Sequence, residues 1–308
     1  MDHISNHPLY KSHNIDSAMS SLWDFYKKKF VSLFIISFAM SLVLQYVSTF
    51  INLQDLSNVT DPMVMLGMIR EVMVPILAIS VINLLFSVVL QHYIIYNPLD
   101  KENNILVSLL KSLRYFIPYL ILMILLVFAG SIALALGILV LIVGVFFSIL
   151  YIMTLYLFIL PILMVEGPNI GNTITRTITL AHRNFWSNMG WVAVFLIVLI
   201  VISLISSGII LLPFTGNFIK SIINPGEASE IINMTKNPLF IILSALAGAL
   251  TFPLIPLFSC ILYFNGRARE ETVQEITQTD TENTRLRVED LYAKPYSDDH
   301  PDNPDNKS

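Results

Sequence analysis

From Tyr115 to Val165 the chain runs for 51 residues without one Asp, Glu, Lys, Arg or His. A helix crosses the ~30 Å hydrocarbon core of a bilayer with ~20 residues, so this stretch holds two crossings rather than one. Basic residues stand on both sides of it, Arg114 before and Arg176 and Arg183 after. An even number of crossings returns the chain to the side it left, which places a tight turn around Gly137 between spans at 115–136 and 139–165.

Four further runs have spanning length: 30–53, 72–96 with Arg70 and Glu71 at its start, 191–212 closed by Pro213, and 238–264 closed by Asn265-Gly266 and Arg267. Charged residues make up 13% of the chain and hydrophobic ones 55%. A soluble domain carries about 25% charge and lacks the polar surface to hide so much apolar side chain. The predicted fold class is therefore an all-α integral membrane protein with six transmembrane helices. Residues 1–14 are expected to be disordered, 15–268 to form the membrane domain, and 269–308 to be a mostly disordered cytoplasmic tail. Residues 270–308 carry eleven acids and four bases, too polar to build a core. A short helix near 270–276 is expected to extend the last span.

Orientation follows from where Lys and Arg cluster. One set of loops and ends holds Lys11, Lys27, Lys28, Lys29, Lys101, Lys111, Arg114, Arg176, Arg183, Arg267 and Arg269; the other holds Arg70, Lys220 and Lys236. Both termini are expected in the cytoplasm, with the protein in a bacterial cytoplasmic (inner) membrane.

Three segments repeat a pattern: Ser20 to Phe30, Val107 to Phe116 and Arg176 to Trp186. Each is amphipathic, ends in basic-x-Phe (Lys28 with Phe30, Arg114 with Phe116, Arg183 with Phe185) and leads into a span. Basic side chains that reach phosphate beside aromatic rings at headgroup depth describe an interfacial helix. The chain thus reads as three helical hairpins, each preceded by a cytoplasmic amphipathic interface helix whose anchors are those six residues. The expected partners are membrane lipid, with anionic headgroups at the interface helices, and an unidentified protein; no nucleic acid is expected.

Polar residues within the spans fall on single faces. Ser37, Ser41, Gln45 and Ser48 are spaced 4, 4, 3 in the first, and Ser80, Asn83, Ser87 and Gln91 are spaced 3, 4, 4 in the second. Gln45 lies roughly 22 Å from the start of its span and Asn83 roughly 20 Å from the end of its own, so the two amides are expected at one depth. The face of Ser41, Gln45, Ser80, Asn83, Ser87 and Gln91 reads either as packing or as a polar path. Pro253 and Pro256 sit inside the sixth span and predict a kink that frees backbone carbonyls.

No spacing suits a metal site, phosphate loop or catalytic triad, so no cofactor and no catalysis are expected. The six histidines are scattered between the ends and the span borders, and the one cysteine, Cys260, has no partner for a disulfide. Glu166 reads either as a plain solvated interface residue or as a carboxylate that pairs with Arg183 or caps a helix start.

Two stretches carry a family resemblance. Pro161 to Phe185 contains Val165-Glu166-Gly167 followed by an amphipathic helix ending in basic-x-Phe, and Leu262 to Glu270 reads Leu-Tyr-Phe-Asn-Gly-Arg-Ala-Arg-Glu. Together they resemble a bacterial multi-pass family named after the membrane domain of some glycerophosphoryl diester phosphodiesterases. Asn265 and Gly266 replace an Asp-Leu of that pattern. The resemblance spans about residues 15–275, implies a membrane domain and implies no activity, because the soluble phosphodiesterase domain is missing. The expected function is a non-enzymatic scaffold, partner subunit or envelope factor; the alternative is a permease or lipid-handling protein using the polar face.

Overall fold

The computed structural model describes residues 4–51, 62–100, 102–216, 219 and 235–284, with the side chains of 62–68, 70 and 274–284 set aside. Within the described residues the chain is all-helical, and six helices are long and apolar enough to cross a membrane: Phe30–Ser48, Glu71–Tyr96, Ile105–Leu139, Leu141–Val165, Phe185–Phe214 and Pro238–Val273. Residues 52–53 of the first expected span, Lys101, Lys220 and the tail beyond Thr284 lie outside the described residues, as does the side chain of Arg70.

Helix starts are marked by asparagine. Helix α1 (Ile15–Lys28) begins with a capping box, in which Asn14 Oδ1 accepts from Ser17 N at 2.8 Å and Ser17 Oγ accepts from Asn14 N at 3.0 Å. Asn104 caps α4 (Ile105–Leu139) and Asn169 caps α6 (Ile170–Arg183) in the same way, each accepting one backbone N–H at 3.0 Å. Asn237 caps α8 (Pro238–Thr251), where proline occupies the first helical position and needs no donor.

Two of the three basic-x-Phe sequences coincide with a helix break. The chain leaves α1 at Lys29 (φ −108°, ψ 14°) and enters α2 (Phe30–Ser48). It leaves α6 at Asn184 (φ −129°, ψ 52°) and enters α7 (Phe185–Leu211). The second copy does not break. Its middle residue is Tyr115, 2% exposed, and the amphipathic segment is simply the first turns of the 35-residue α4.

The turn between α4 and α5 (Leu141–Val165) lies at Val140-Leu141, three residues beyond the expected Gly137. Leu141 takes φ 61°, the left-handed conformation. Gly137 is used for close approach instead. A Cβ there would sit 2.5 Å from Ser148 Oγ and 2.8 Å from the Gly144 carbonyl, so only glycine lets the two helices meet. Helix α3 (Pro62–Tyr96) begins before its apolar run, and α7 begins six residues ahead of the expected 191. The sixth span is two helices: α8 ends at Thr251, Phe252-Pro253 form a break, and α9 runs Leu254–Thr284. The break falls where Pro253 removes a donor.

Neighbouring contacts close a ring in the order α2, α3, α4, α5, α7, α8 and back to α2. The first turns of α9 fill it: Leu254, Leu257, Phe258, Cys260, Ile261, Leu262, Tyr263 and Phe264 are all 2% exposed or less. A helix apolar on every side belongs inside protein. Phe258 stacks on Phe195 of α7 with centroids 4.0 Å apart, and Ser259 Oγ donates to the Leu157 carbonyl of α5. The outward faces are apolar and bare, with Phe128 at 70%, Leu204 at 67% and Ile142 at 86% exposure. Surface of that extent is covered by lipid, and the protein is a multi-pass membrane protein.

Residues 4–14 correct the expectation of a disordered N-terminus. Leu9, His7 and His13 are each 2% exposed. His7 Nδ1 accepts from Leu9 N and its Nε2 stands 3.1 Å from the Ile94 carbonyl at the end of α3, while its ring packs on Phe264. The His13 backbone N–H donates to Asn265 Oδ1 at 2.8 Å. These partners, distant in sequence, supply the burial that composition alone withholds.

The compact unit ends at Gly266, and Arg267–Ser308 form a second one. In that unit α9 continues as a charged helix to Thr284, eight residues past the expected 276. An Arg267–Glu271 pair at 3.6 Å, one turn apart, supports it.

Candidate functional site

A cavity of about 100 Å³ lies beside the break in the last span. Its polar wall comes from Asn83, Ser87 and Gln91 of α3, Tyr119 of α4, Tyr156 of α5 and Ser259 of α9; Phe252 and Pro256 close the side at the break. The spacing that puts Asn83, Ser87 and Gln91 on one face of α3 is the spacing read from the sequence; all three line the cavity, with Gln91 buried, Ser87 half-buried and Asn83 exposed at its edge. Pro256 lines the cavity and Pro253 sits in the break, so the proline pair shapes the site.

Hydrogen bonds hold the wall. Ser87 Oγ donates to the Asn83 carbonyl at 2.8 Å. Tyr119 and Tyr156 line the same wall. Gln91, 1% exposed, donates from Nε2 to Cys260 Sγ at 2.9 Å. Every lining polar group is uncharged. Such a cavity can hold water, hydroxyl, ester or amide groups, each needing two to four polar partners, and it discriminates by hydrogen bonding rather than by charge.

The other half of the expected face does other work. Ser41 is 1% exposed and sits against Gly248 of α8, so close that a Cβ on Gly248 would overlap its hydroxyl. It is a packing residue. Gln45 is half-buried and is not part of the cavity wall, so the expected meeting of the Gln45 and Asn83 amides does not occur there. Ser80 is exposed and donates to the Ile76 carbonyl of its own helix at 2.9 Å, which satisfies a hydroxyl that faces outward.

The six anchors separate in the same manner. Lys28 is exposed, and Phe30 stacks between Tyr26 and Phe34 with centroids 5.6 and 5.5 Å away. Arg114 donates to the Tyr115 hydroxyl and lies 4.5 Å over that ring, while Phe116 packs against the core. Arg183 is exposed, and Phe185 packs on Trp186 and Tyr151.

A second polar cluster joins one end of the bundle. Glu166 is 9% exposed and accepts from Arg176 Nε at 3.1 Å and from the Tyr263 hydroxyl at 3.0 Å. This corrects the solvated reading: the carboxylate is nearly buried and pairs with Arg176. Ten residues of chain fold Arg176 back over Glu166, whereas Arg183 lies two turns further along α6. The Tyr96 hydroxyl donates to the Met164 carbonyl at 2.7 Å, and Lys29 Nζ donates to Asn97 Oδ1 at 2.7 Å. His92 is 2% exposed and lies 4.5 Å from the Tyr96 ring.

Tyr119, Tyr156 and Ser259 were missed from sequence. Their one signal is a hydroxyl within an otherwise apolar span, which also describes side chains that face lipid or their own backbone. No family model, curated protein or solved structure matches the chain.

Proposed function

We propose that the chain is a lipid-handling protein of a bacterial cytoplasmic membrane, with both termini in the cytoplasm, that binds and positions lipid rather than transforming it. The observation that carries this reading is the uncharged, hydrogen-bonding cavity beside the break in the last span. In a low-dielectric surround such a wall attracts the ester or hydroxyl part of an amphiphile, because each group left unpaired there is costly. The absence of charge from its lining leaves nothing to drive ion coupling.

The test is retention of lipid through purification in mild detergent. The Asn83→Leu/Gln91→Leu protein is expected to retain severalfold less phospholipid by mass spectrometry than the unaltered one. Gln45→Leu, outside the cavity, is expected to retain as much. Equal lipid in all three overturns the reading.

A second reading, a scaffold or partner subunit, is favoured by the α4–α5 turn. Leu139, Val140, Leu141 and Ile142 are 64–86% exposed there, apolar side chains where a membrane hairpin ordinarily meets polar surroundings. A protein that copurifies in fixed proportion and is lost on Leu141→Lys/Ile142→Lys would establish it.

A further inference from the structure

Beside α1 lies an open groove of about 450 Å³ built from three separate parts of the chain. The N-terminal segment contributes Lys11, α1 contributes Asp24 and Lys28, the α1–α2 break contributes Lys29, and the residues after α3 contribute Asn97. Three lysines and one aspartate therefore line it. The carboxylate is already engaged: Asp24 pairs at 3.2 Å with Lys27, which is not part of the groove wall. Lys29 is steadied by Asn97 at 2.7 Å. Among the described residues, Lys11, Lys28 and Lys29 have no carboxylate partner.

Like charges that converge on one concave surface repel unless an anion lies between them. Nothing in packing requires the convergence, since Lys11 and Lys28 are exposed and could point apart. The groove also has a defined setting. Lys29 immediately precedes Phe30, the first residue of the first membrane-spanning helix. Trp23 of α1 is 40% exposed, as a side chain at headgroup depth would be.

We infer that this groove binds a phosphate-bearing anion, and that the phosphate is that of an anionic phospholipid headgroup. Lysine suits this task as a mobile point charge with three donors, and Asn97 supplies a polar edge. The inference takes only its choice of ligand source from the lipid-handling reading; its residues are distinct from those of the cavity.

The experiment is equilibrium binding of short-chain phosphatidylglycerol, and separately of inorganic phosphate, to the full chain in a non-ionic detergent at low salt. Lys11→Ala/Lys28→Ala leaves the Lys29–Asn97 bond in place. It is expected to weaken phosphatidylglycerol binding roughly thirtyfold, two surface lysines at a membrane being worth about tenfold or less each. Lys111→Ala/Lys236→Ala removes the same charge outside the groove and is expected to change binding less than about twofold. Lys11→Arg/Lys28→Arg keeps the charge and is expected to keep the binding. Equal weakening by the two alanine pairs, or none by the groove pair, overturns the site. Saturation by inorganic phosphate with no competition from phosphatidylglycerol overturns the lipid source. The Asn83→Leu/Gln91→Leu protein, run alongside, is expected to bind phosphatidylglycerol at the groove unchanged, so failure of the cavity reading and failure of this one give different results.

Discussion

Gly248 is the point where α8 comes nearest to α2. A Cβ there would overlap the Ser41 hydroxyl and lie 3.2 Å from Ser41 Cβ. Gly248→Ala is expected to destabilise by about 1–3 kcal/mol, the usual cost of overpacking, read as a lower thermal midpoint in detergent. Ser41→Gly in the same chain should restore most of the loss, because it removes the side chain that is struck. His7 offers a different handle. Its ring is buried, accepts a backbone N–H and donates to the Ile94 carbonyl, and burial holds its pKa down to about 4 against an ordinary 6.5. The docked ring resists the proton that the free segment accepts. Docking of residues 4–14 is therefore at full strength above about pH 6.5, weakens as pH falls toward 4, and levels off below; the span corresponds to about 3 kcal/mol. Hydrogen exchange of residues 4–14 at neutral pH and near pH 4.5 measures it. His7→Gln, which has a donor and an acceptor but no proton to gain, should remove the His7 share of the pH dependence and leave that of His13, which burial also holds below its ordinary value.

At the scale of helices, the α4–α5 turn is the place where backbone and sequence conflict. Leu141 adopts φ 61° with a branched side chain 77% exposed, a conformation that costs an L-residue roughly 1–2 kcal/mol. Leu141→Gly should relieve part of it and raise stability by about 1 kcal/mol, despite glycine's greater freedom when unfolded. An unchanged or lower thermal midpoint would show that the leucine has a compensating role there. The same turn shows where sequence reading reaches its limit. Hydrocarbon thickness sets how many residues a crossing needs, so the six spans were legible from length and charge alone. From Ser131 to Phe147, however, every residue is small or apolar, and Gly137 was the natural place to turn. The glycine serves the approach of α4 to α5 instead, a pairing that periodicity does not reveal. In the cavity, the face of Asn83, Ser87 and Gln91 was legible because it repeats along one helix. Tyr119, Tyr156 and Ser259 were not, because each arrives from a different helix and periodicity names a face without naming its neighbour. The prolines marked the break at Phe252-Pro253 because their chemistry acts locally.

In the compact unit, five helices of spanning length and the shorter α8 surround the buried first turns of α9, which complete the sixth span. Contacts among Lys29, Asn97, Met164, Glu166 and Tyr263 gather the ends of α1, α3, α5 and the middle of α9 at one end of the ring. The proposed orientation predicts that cysteines introduced at Ser5 and at Thr272 react with an impermeant thiol reagent only after the membrane is opened. Reaction of either in intact cells would overturn the shared cytoplasmic placement. Cys260 is fully buried and leaves such labelling clean. Ring order was beyond the sequence, since each outward face is equally apolar and lipid gives no preference for one neighbour over another.

The docking of His13 onto Asn265 bears on how the protein is made. The donor emerges from the ribosome 252 residues before its acceptor. At 5–20 residues per second, that is roughly 10–50 s of synthesis. Throughout that interval the segment around His7 has neither Phe264 nor Asn265 to rest on. A stretch translated ahead of all six spans thus becomes among the last to settle, and its seating reports that the final span is in place.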